Sequence, residues 1–224
     1  MYGSISMKWY PKIFGTYSED TPWGDHCIAF NKLDGSNLRF EFSRKQGWYK
    51  FGTRNRMFDR SDKEYGHAID IFLNKYGEGL SKVMTDKFAK VESAIAYAEY
   101  LGPVSFGGLH DALYMQQIGH LAEGVSNDPK DVVLFDFNPH KRGFLSPVEF
   151  VKHFSHLHIP AIIYEGRFTK EFVEDVRSGK YPVFEGIVAK GGDGHKLWMR
   201  KVKTNAYLAE IRRVFGTGWQ DHWE

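Results

Sequence analysis

The stretch CIAFNKLDGSNLRFEF, residues 27–42, sets a lysine, Lys32, in a β-forming apolar run and follows it with Asp34-Gly35-Ser36-Asn37. Lysine prefers water, so Lys32 either ends a strand with its ammonium group in solvent or is held for a chemical purpose. Residues 27–31 and 37–43 read as short strands. Asp34-Gly35-Ser36 separates them as a turn, since Asp-Gly is above all a hairpin signal. A third run, residues 47–51, follows the turn Lys45-Gln46-Gly47.

Outward from this stretch the pattern continues without repeats or an obvious linker. Residues 65–75 and 79–91 carry apolar residues three to four apart and read as helices. Residues 93–101, SAIAYAEYL, are ambiguous by period, and residues 131–137, DVVLFDF, read as a buried strand. Ser146 as N-cap, with Pro147 at the first helical position, opens a helix to about His153. Residues 160–164 read as a strand and 168–178 as a helix. Residues 184–190 and 196–203 form a hairpin about Gly191-Gly192-Asp193-Gly194, and a helix runs from Thr204 to about Val214. This order mixes hairpins and helices without regular βαβ alternation, which predicts an α+β fold with antiparallel sheets.

The composition, 42% hydrophobic and 26% charged over 224 residues, fits an ordinary soluble globular protein with a core of useful size. The single cysteine, Cys27, excludes an internal disulfide and points to a reducing, cytoplasmic compartment. Cys27 itself reads as a small buried apolar residue. No apolar run approaches a membrane span, and residues 1–15 show no apolar signal-peptide core. A net charge of +2 gives no global argument for nucleic-acid binding, which needs a local basic face. Lys45, Lys50, Arg54, Arg56 and Arg60, interleaved with Trp48, Tyr49 and Phe51, form either such a face or an ordinary exposed hairpin. The tail VFGTGWQDHWE, with Trp219 and Trp223, either packs on the domain or docks elsewhere.

Four hydrophilic clusters interrupt the apolar strands: Lys32 with Asp34 and Asn37; Thr53-Arg54-Asn55-Arg56; Glu99; and Glu185 and Lys190 followed by Lys201 and Lys203. In a strand, Lys201 and Lys203 share a face, with Val202 on the other. They are either surface lysines on a solvated face or a pair bracketing an anion such as a polyphosphate. If they face Lys32 across a cleft, their charge lowers its pKa and activates it as a nucleophile toward an α-phosphorus. Developing charge then calls for the lysines, Arg54 and a divalent metal, with Glu185 and Glu99 holding the metal or ribose hydroxyls. No G-x-x-x-x-G-K-[ST] sequence is present, which excludes a P-loop enzyme as far as motifs allow.

Lys32-Leu33-Asp34-Gly35-Ser36-Asn37 resembles motif I of the covalent nucleotidyltransferases, the superfamily of DNA ligases, RNA ligases and mRNA capping enzymes. Thr53-Arg54-Asn55 resembles the arginine-bearing segment after motif I. Glu99-Tyr100-Leu101-Gly102 resembles motif III, and Leu134-Phe135-Asp136 motif IIIa. Phe184-Glu185-Gly186-Ile187-Val188-Ala189-Lys190 is similar to motif IV, and Lys201-Val202-Lys203 to motif V. One such motif is weak; six in order, over residues 32–203, are strong. The resemblance implies a nucleotidyltransferase domain with a nucleotide cleft between sheets. Lys32 would be adenylylated by ATP. Asn37 and Arg54 would contact ribose or phosphate, and Glu99 the ribose. Phe135 would stack on adenine, with Phe137 as fallback. Glu185 would support the metal, Mg2+ or Mn2+, and Lys201 and Lys203 would contact phosphates. Burial habits alone favour Phe135 as plain core.

Asn37, the short span from motif I to motif III, and EYLGPVSFGG make the RNA ligase 2 group the most similar one. That group implies an RNA ligase joining 5′-phosphate and 3′-hydroxyl ends, with RNA favoured and DNA possible as partner. A minimal ATP-dependent DNA ligase and a non-catalytic nucleotide-binding protein are the rival readings. Residues 204–224 are too few for the C-terminal oligonucleotide-binding or helical domain of such enzymes, which leaves the grip on the polynucleotide to a protein partner or to the nicked duplex itself.

Overall fold

The structure, a computed structural model, describes residues 9–109 and 130–222. Residues 1–8 of the stretch read for a signal, and Trp223 of the tail, lie outside the described residues. The named strands form two antiparallel sheets. The first holds β1 (His26–Lys32), β7 (Ile162–Arg167), β8 (Gly186–Gly191) and β9 (Trp198–Lys203) in the order β7-β1-β8-β9. The second holds β2 (Ser36–Ser43), β3 (Gly47–Thr53), β4 (Met57–Phe58), β5 (Ser93–Leu101) and β6 (Asp131–Pro139) in the order β4-β3-β2-β5-β6.

Asp34-Gly35 is therefore not a hairpin turn. β1 ends at Lys32 in one sheet and β2 begins at Ser36 in the other, so residues 33–35 are the corner by which the chain changes sheet. The glycine is needed for close approach: a Cβ on Gly35 would overlap the Tyr100 carbonyl oxygen and lie 2.7 Å from Glu99 Cγ. Backbone cannot yield as a flexible side chain does. Gly35→Ala is expected to cost about 1–3 kcal/mol of stability through overpacking. The check is thermal unfolding of the variant beside the parent.

The second sheet carries the larger core on one face. Leu38, Phe40 and Phe42 of β2 stand opposite Ala98, Ala96 and Ala94 of β5, large against small across each pair. Those alanines explain why SAIAYAEYL has no clear period. Phe40 stacks on Phe72 at 3.7 Å, where helix α1 (Gly66–Phe72) crosses the sheet. The expected helix break near Gly77 is absent. The chain passes from α1 through a π turn, Leu73–Gly77, into α2 (Glu78–Asp86), and Trp48 Nε1 donates to the Gly77 carbonyl at 3.2 Å. Helix α2 stops five residues before the expected residue 91. Arg44 caps its end by donating to the carbonyls of Met84, Phe88 and Val91.

Helix α3 (Pro147–Phe154) closes the main core with Phe150 and Phe154. It starts as expected, at Ser146, with a capping box to Glu149. On the outer face of the first sheet, α4 (Lys170–Arg177) lays Phe172, Val173 and Val176 on Cys27, Ala29, Ile187 and Val202. Cys27 is buried, as expected of a small apolar residue. Helix α5 (Asn205–Phe215) follows β9 directly, and Arg212 lies 4.1 Å over the Trp219 ring, so the tail's first tryptophan packs on this helix. No helix among the described residues is long and apolar enough to cross a membrane.

Candidate active site

Strand register assembles the site. On β8, Gly186 is opposite Lys32 of β1 on one side and Lys203 of β9 on the other. Glu185 immediately precedes it, so two lysines flank one carboxylate. Gly186 permits this closeness: its φ is +146°, and a Cβ there would overlap the Val202 carbonyl oxygen. Lys32 Nζ lies 2.7 Å from each carboxylate oxygen of Glu185, and Lys203 Nζ 3.3 Å from Oε1. Glu185 and Lys203 are buried, whereas Lys32 keeps about a quarter of its side chain exposed (24%) toward the cleft.

The cleft between the sheets measures about 1340 Å³. Its walls bring together Lys32, Asn37, Arg54, Glu99, Phe135 and Lys201, scattered over residues 32–201 in sequence. Asn37 and Glu99 are cross-strand neighbours on β2 and β5. Arg54 is exposed in a turn closed by the Thr53 amide donating to the Arg56 carbonyl at 2.8 Å. Lys201 lines the cleft two residues from Lys203, with Val202 buried on the opposite face, as the period required. Glu185 and Lys203 thus complete the set implied by the motifs.

The charge balance corrects one expectation. Lys32 is not activated by cations. Burial alone would depress its pKa, but the carboxylates of Glu185, Glu99 and Asp34 outweigh burial and raise it. The depressed lysine is Lys203, through burial and the neighbouring charge of Lys32, against the pull of Glu185. Three carboxylates act on Lys32, and period alone does not locate them.

Burial pushes the Glu99 carboxyl up to about 8, with the Glu185 and Asp34 carboxylates adding and Lys32 opposing. Between its ordinary 4.5 and about 8, the folded chain binds more protons than the unfolded one, so this group makes stability fall as pH rises through that window. Glu99→Gln is expected to flatten that decline. Melting temperatures of parent and variant from pH 5 to pH 8 provide the test, and parallel curves would remove Glu99 as its source.

Phe135 is half-buried and lines the cleft, whereas Phe137 is fully buried in the main core. Phe135 is not part of the main core: Val132 and Leu134 take the core face, and a bulge in β6 brings Phe137 back to it. The β6 register shifts opposite Tyr97/Ala98, which puts Leu134 and Phe137 on the core face and Phe135 on the cleft face. A buried network holds Phe135 in place. Lys190 Nζ donates to Asp136 Oδ2 at 2.8 Å and to the Phe135 carbonyl at 2.9 Å. Tyr10 donates to the same Asp136 oxygen at 2.8 Å, and its ring meets Phe135 edge-on at 5.0 Å. Burial, with Asp136 beside it, raises the Tyr10 pKa, so the phenol stays a donor. Sequence reading missed Tyr10 and the role of Asp136. The available signal was two opposite charges, Asp136 in DVVLFDF, a strand read as buried, and Lys190 at the end of the apolar run GIVAK.

Of the two readings of residues 45–60, a basic stacking face or an ordinary hairpin, the aromatic residues do not support the stacking face. Phe51 is buried, and Trp48 packs on the helices. Arg56 pairs with Asp62 and Glu64, and Arg60 with Asp70. Of that set, Arg54 is exposed and lines the cleft.

For a divalent metal, the described residues contain no group of three His, Cys, Asp or Glu ligands. Both Glu185 oxygens already meet Lys32. A divalent ion would be held mainly by substrate phosphates and water, as magnesium commonly is, with Glu185 able to join only where it releases Lys32, rather than by an all-protein cage.

No family model matches the chain, and no curated protein does. Solved structures do. An arginine-to-alanine variant of Naegleria gruberi RNA ligase with ATP and Mn aligns at a TM-score of 0.63 and 21% identity, over 89% of this chain and 57% of that one. A glutamate-to-alanine variant with AMP and Mn aligns at 0.62 and 19%, over 91% and 58%. A lysine-to-methionine variant with AMP and Mn aligns at 0.60 and 21%, again over 91% and 58%. The chain thus has the fold of these RNA ligases and spans under two-thirds of their length.

Proposed function

We propose that the chain is the nucleotidyltransferase unit of an ATP-dependent RNA ligase. The observation that carries this reading is Lys32 held against Glu185 at 2.7 Å, with Lys203 behind it, at the wall of a cleft that also presents Phe135, Glu99 and Lys201. The likeness in fold to RNA ligase structures with ATP, or with AMP and Mn, supports it.

In the first step the lone pair of Lys32 Nζ attacks the α-phosphorus of ATP. A P–N bond forms, the bond to the bridging oxygen breaks, and pyrophosphate leaves with that electron pair. Lys32 must shed its ammonium proton before attack and a second proton as the P–N bond forms, both passing to water, and the carboxylates that raise its pKa oppose the first loss. Lys201 and Lys203 offset phosphate charge, Phe135 stacks on the base, and Glu99 and Asn37 face the ribose. A bound Mg2+ or Mn2+ would add neutralisation of phosphate charge.

In the second step an oxygen of a polynucleotide 5′-phosphate displaces the lysine from the adenylyl phosphorus, and Nζ takes up a proton. In the third a 3′-hydroxyl attacks that 5′-phosphorus, loses its proton and expels AMP. A cleft of about 1340 Å³ exceeds the usual span of small-ligand pockets, about 300–1,000 Å³, which leaves room for a strand end beside the nucleotide.

The test uses α-labelled ATP, GTP and NAD with magnesium or manganese, followed by joining assays on nicked duplexes with RNA or DNA at the 3′-hydroxyl side. Label from ATP and sealing of RNA ends support the reading. Sealing only of DNA ends would make it a DNA ligase. Absence of label from any nucleotide, after removal of pre-bound AMP, would leave a catalytically silent nucleotide-binding protein.

A further inference from the structure

One buried side chain touches both halves of the lysine site and belongs to none of its motifs. Tyr207, on the first turns of α5, is fully buried. Its hydroxyl donates to Asp34 Oδ1 at 3.2 Å, at the corner that carries the chain from Lys32 into the second sheet. Its ring lies 4.8 Å beneath Lys203 Nζ. Phe184, the neighbour of Glu185, meets that ring edge-on at 5.7 Å.

The tyrosine is itself fixed. Its amide donates to Thr204 Oγ1 at 3.1 Å, Thr204 Oγ1 donates to the Phe184 carbonyl at 2.7 Å, and the Thr204 amide donates to the Glu185 carbonyl at 3.0 Å. The start of α5 is therefore fastened to the residues that present Glu185. Burial, with the Glu185 and Asp34 carboxylates beside it, raises the phenol's pKa, so it stays protonated and remains a donor.

We propose that Tyr207 is a positioning residue for attack by Lys32: through Asp34 it fixes the inter-sheet corner, and so the placement of Lys32 relative to Glu185 and Lys203. This rests on the reading of Lys32 as the residue that takes the nucleotide. The hydroxyl does not touch the reacting atoms. It ties the strand that ends in the nucleophile to the helix that follows Lys203, so that the lysines approach one phosphorus in fixed relation. Errors of about 1 Å in such placement can cost about 10²-fold in rate.

Tyr207→Phe keeps the ring, its packing and its contact with Lys203, and removes the hydroxyl that ties it to Asp34. The experiment measures single-turnover formation of the protein–AMP adduct in four proteins: parent, Tyr207→Phe, Asp34→Ala and the double variant. Tyr207→Phe is expected to slow the step about 10- to 100-fold at saturating ATP, with the ATP concentration for half-maximal rate unchanged. In the Asp34→Ala background the same change is expected to cost less than about twofold, because the acceptor is already gone.

Equal losses in both backgrounds, a loss seen only in ATP affinity, or no loss would each overturn the proposal. Should Tyr207→Phe fail to fold, Asp34→Asn, which keeps an oxygen acceptor, is expected to retain at least about tenfold more activity than Asp34→Ala; equal activities would overturn it. A parent protein that takes no label defeats the ligase reading and this proposal with it. A parent that labels, with Tyr207→Phe at the same rate, defeats this proposal alone.

Discussion

Replacing Lys32 with alanine is expected to abolish covalent transfer of AMP to the protein while leaving the fold intact. Of the two lysines that Glu185 holds, Lys203 is buried behind it and Lys32 opens to the cleft. Removing one partner of a buried ion pair costs about 3–5 kcal/mol when the survivor is left alone. Here Glu185 keeps Lys203 at 3.3 Å, and Lys32 is partly solvated, so the loss falls below that range. Circular dichroism and a melting curve report the fold, and labelled ATP reports the chemistry. A folded Lys32→Ala protein that still takes label would move the nucleophile elsewhere.

Replacing Glu185 with alanine is expected to damage both chemistry and stability. The carboxylate stands between Lys32 and Lys203 and holds both. Without it two ammonium groups repel in a poorly solvated wall, at a cost of about 3–5 kcal/mol, or roughly 10 °C in melting temperature for a chain of this size. Adduct formation should fall at least about 10²-fold, as when a placed electrostatic group is removed.

The pH dependence of that cost has a definite sign. Burial and the charge of Lys32, no longer opposed by Glu185, then hold Lys203 further below its ordinary 10.5, so in that window the unfolded chain binds more protons and stability rises with pH. The gap between parent and Glu185→Ala should narrow as pH approaches 10. A gap constant with pH would mean that the loss comes from packing and not from charge.

Much of this site was legible in the amino-acid order, and particular physical reasons hid the rest. Lys201 and Lys203 on one face, with Val202 behind, follow from the two-residue period of a strand. The hairpin that sets Gly186 against Lys203 follows from its glycine turn. Asp34-Gly35 misled because local turn chemistry does not say which strand becomes the partner. Here the glycine serves close approach to β5 rather than a hairpin.

Phe135 and Phe137 could not be separated by period, since a bulge inserts one residue between their faces. The sign of the Lys32 shift depends on Glu185 first and Glu99 next, and both reach it only through the fold. Tyr10 meets Asp136 across 126 residues of sequence, and Tyr207 meets Asp34 across 173; no local pattern records either contact.

The most direct measurement of the central claim is peptide mapping by mass spectrometry after the protein has been incubated with ATP and magnesium and digested at alkaline pH. The account predicts a single AMP adduct, on the peptide containing Lys32, stable to alkali and released by mild acid as a phosphoramidate should be. An adduct on another residue, or none in a folded protein freed of pre-bound AMP, would contradict it.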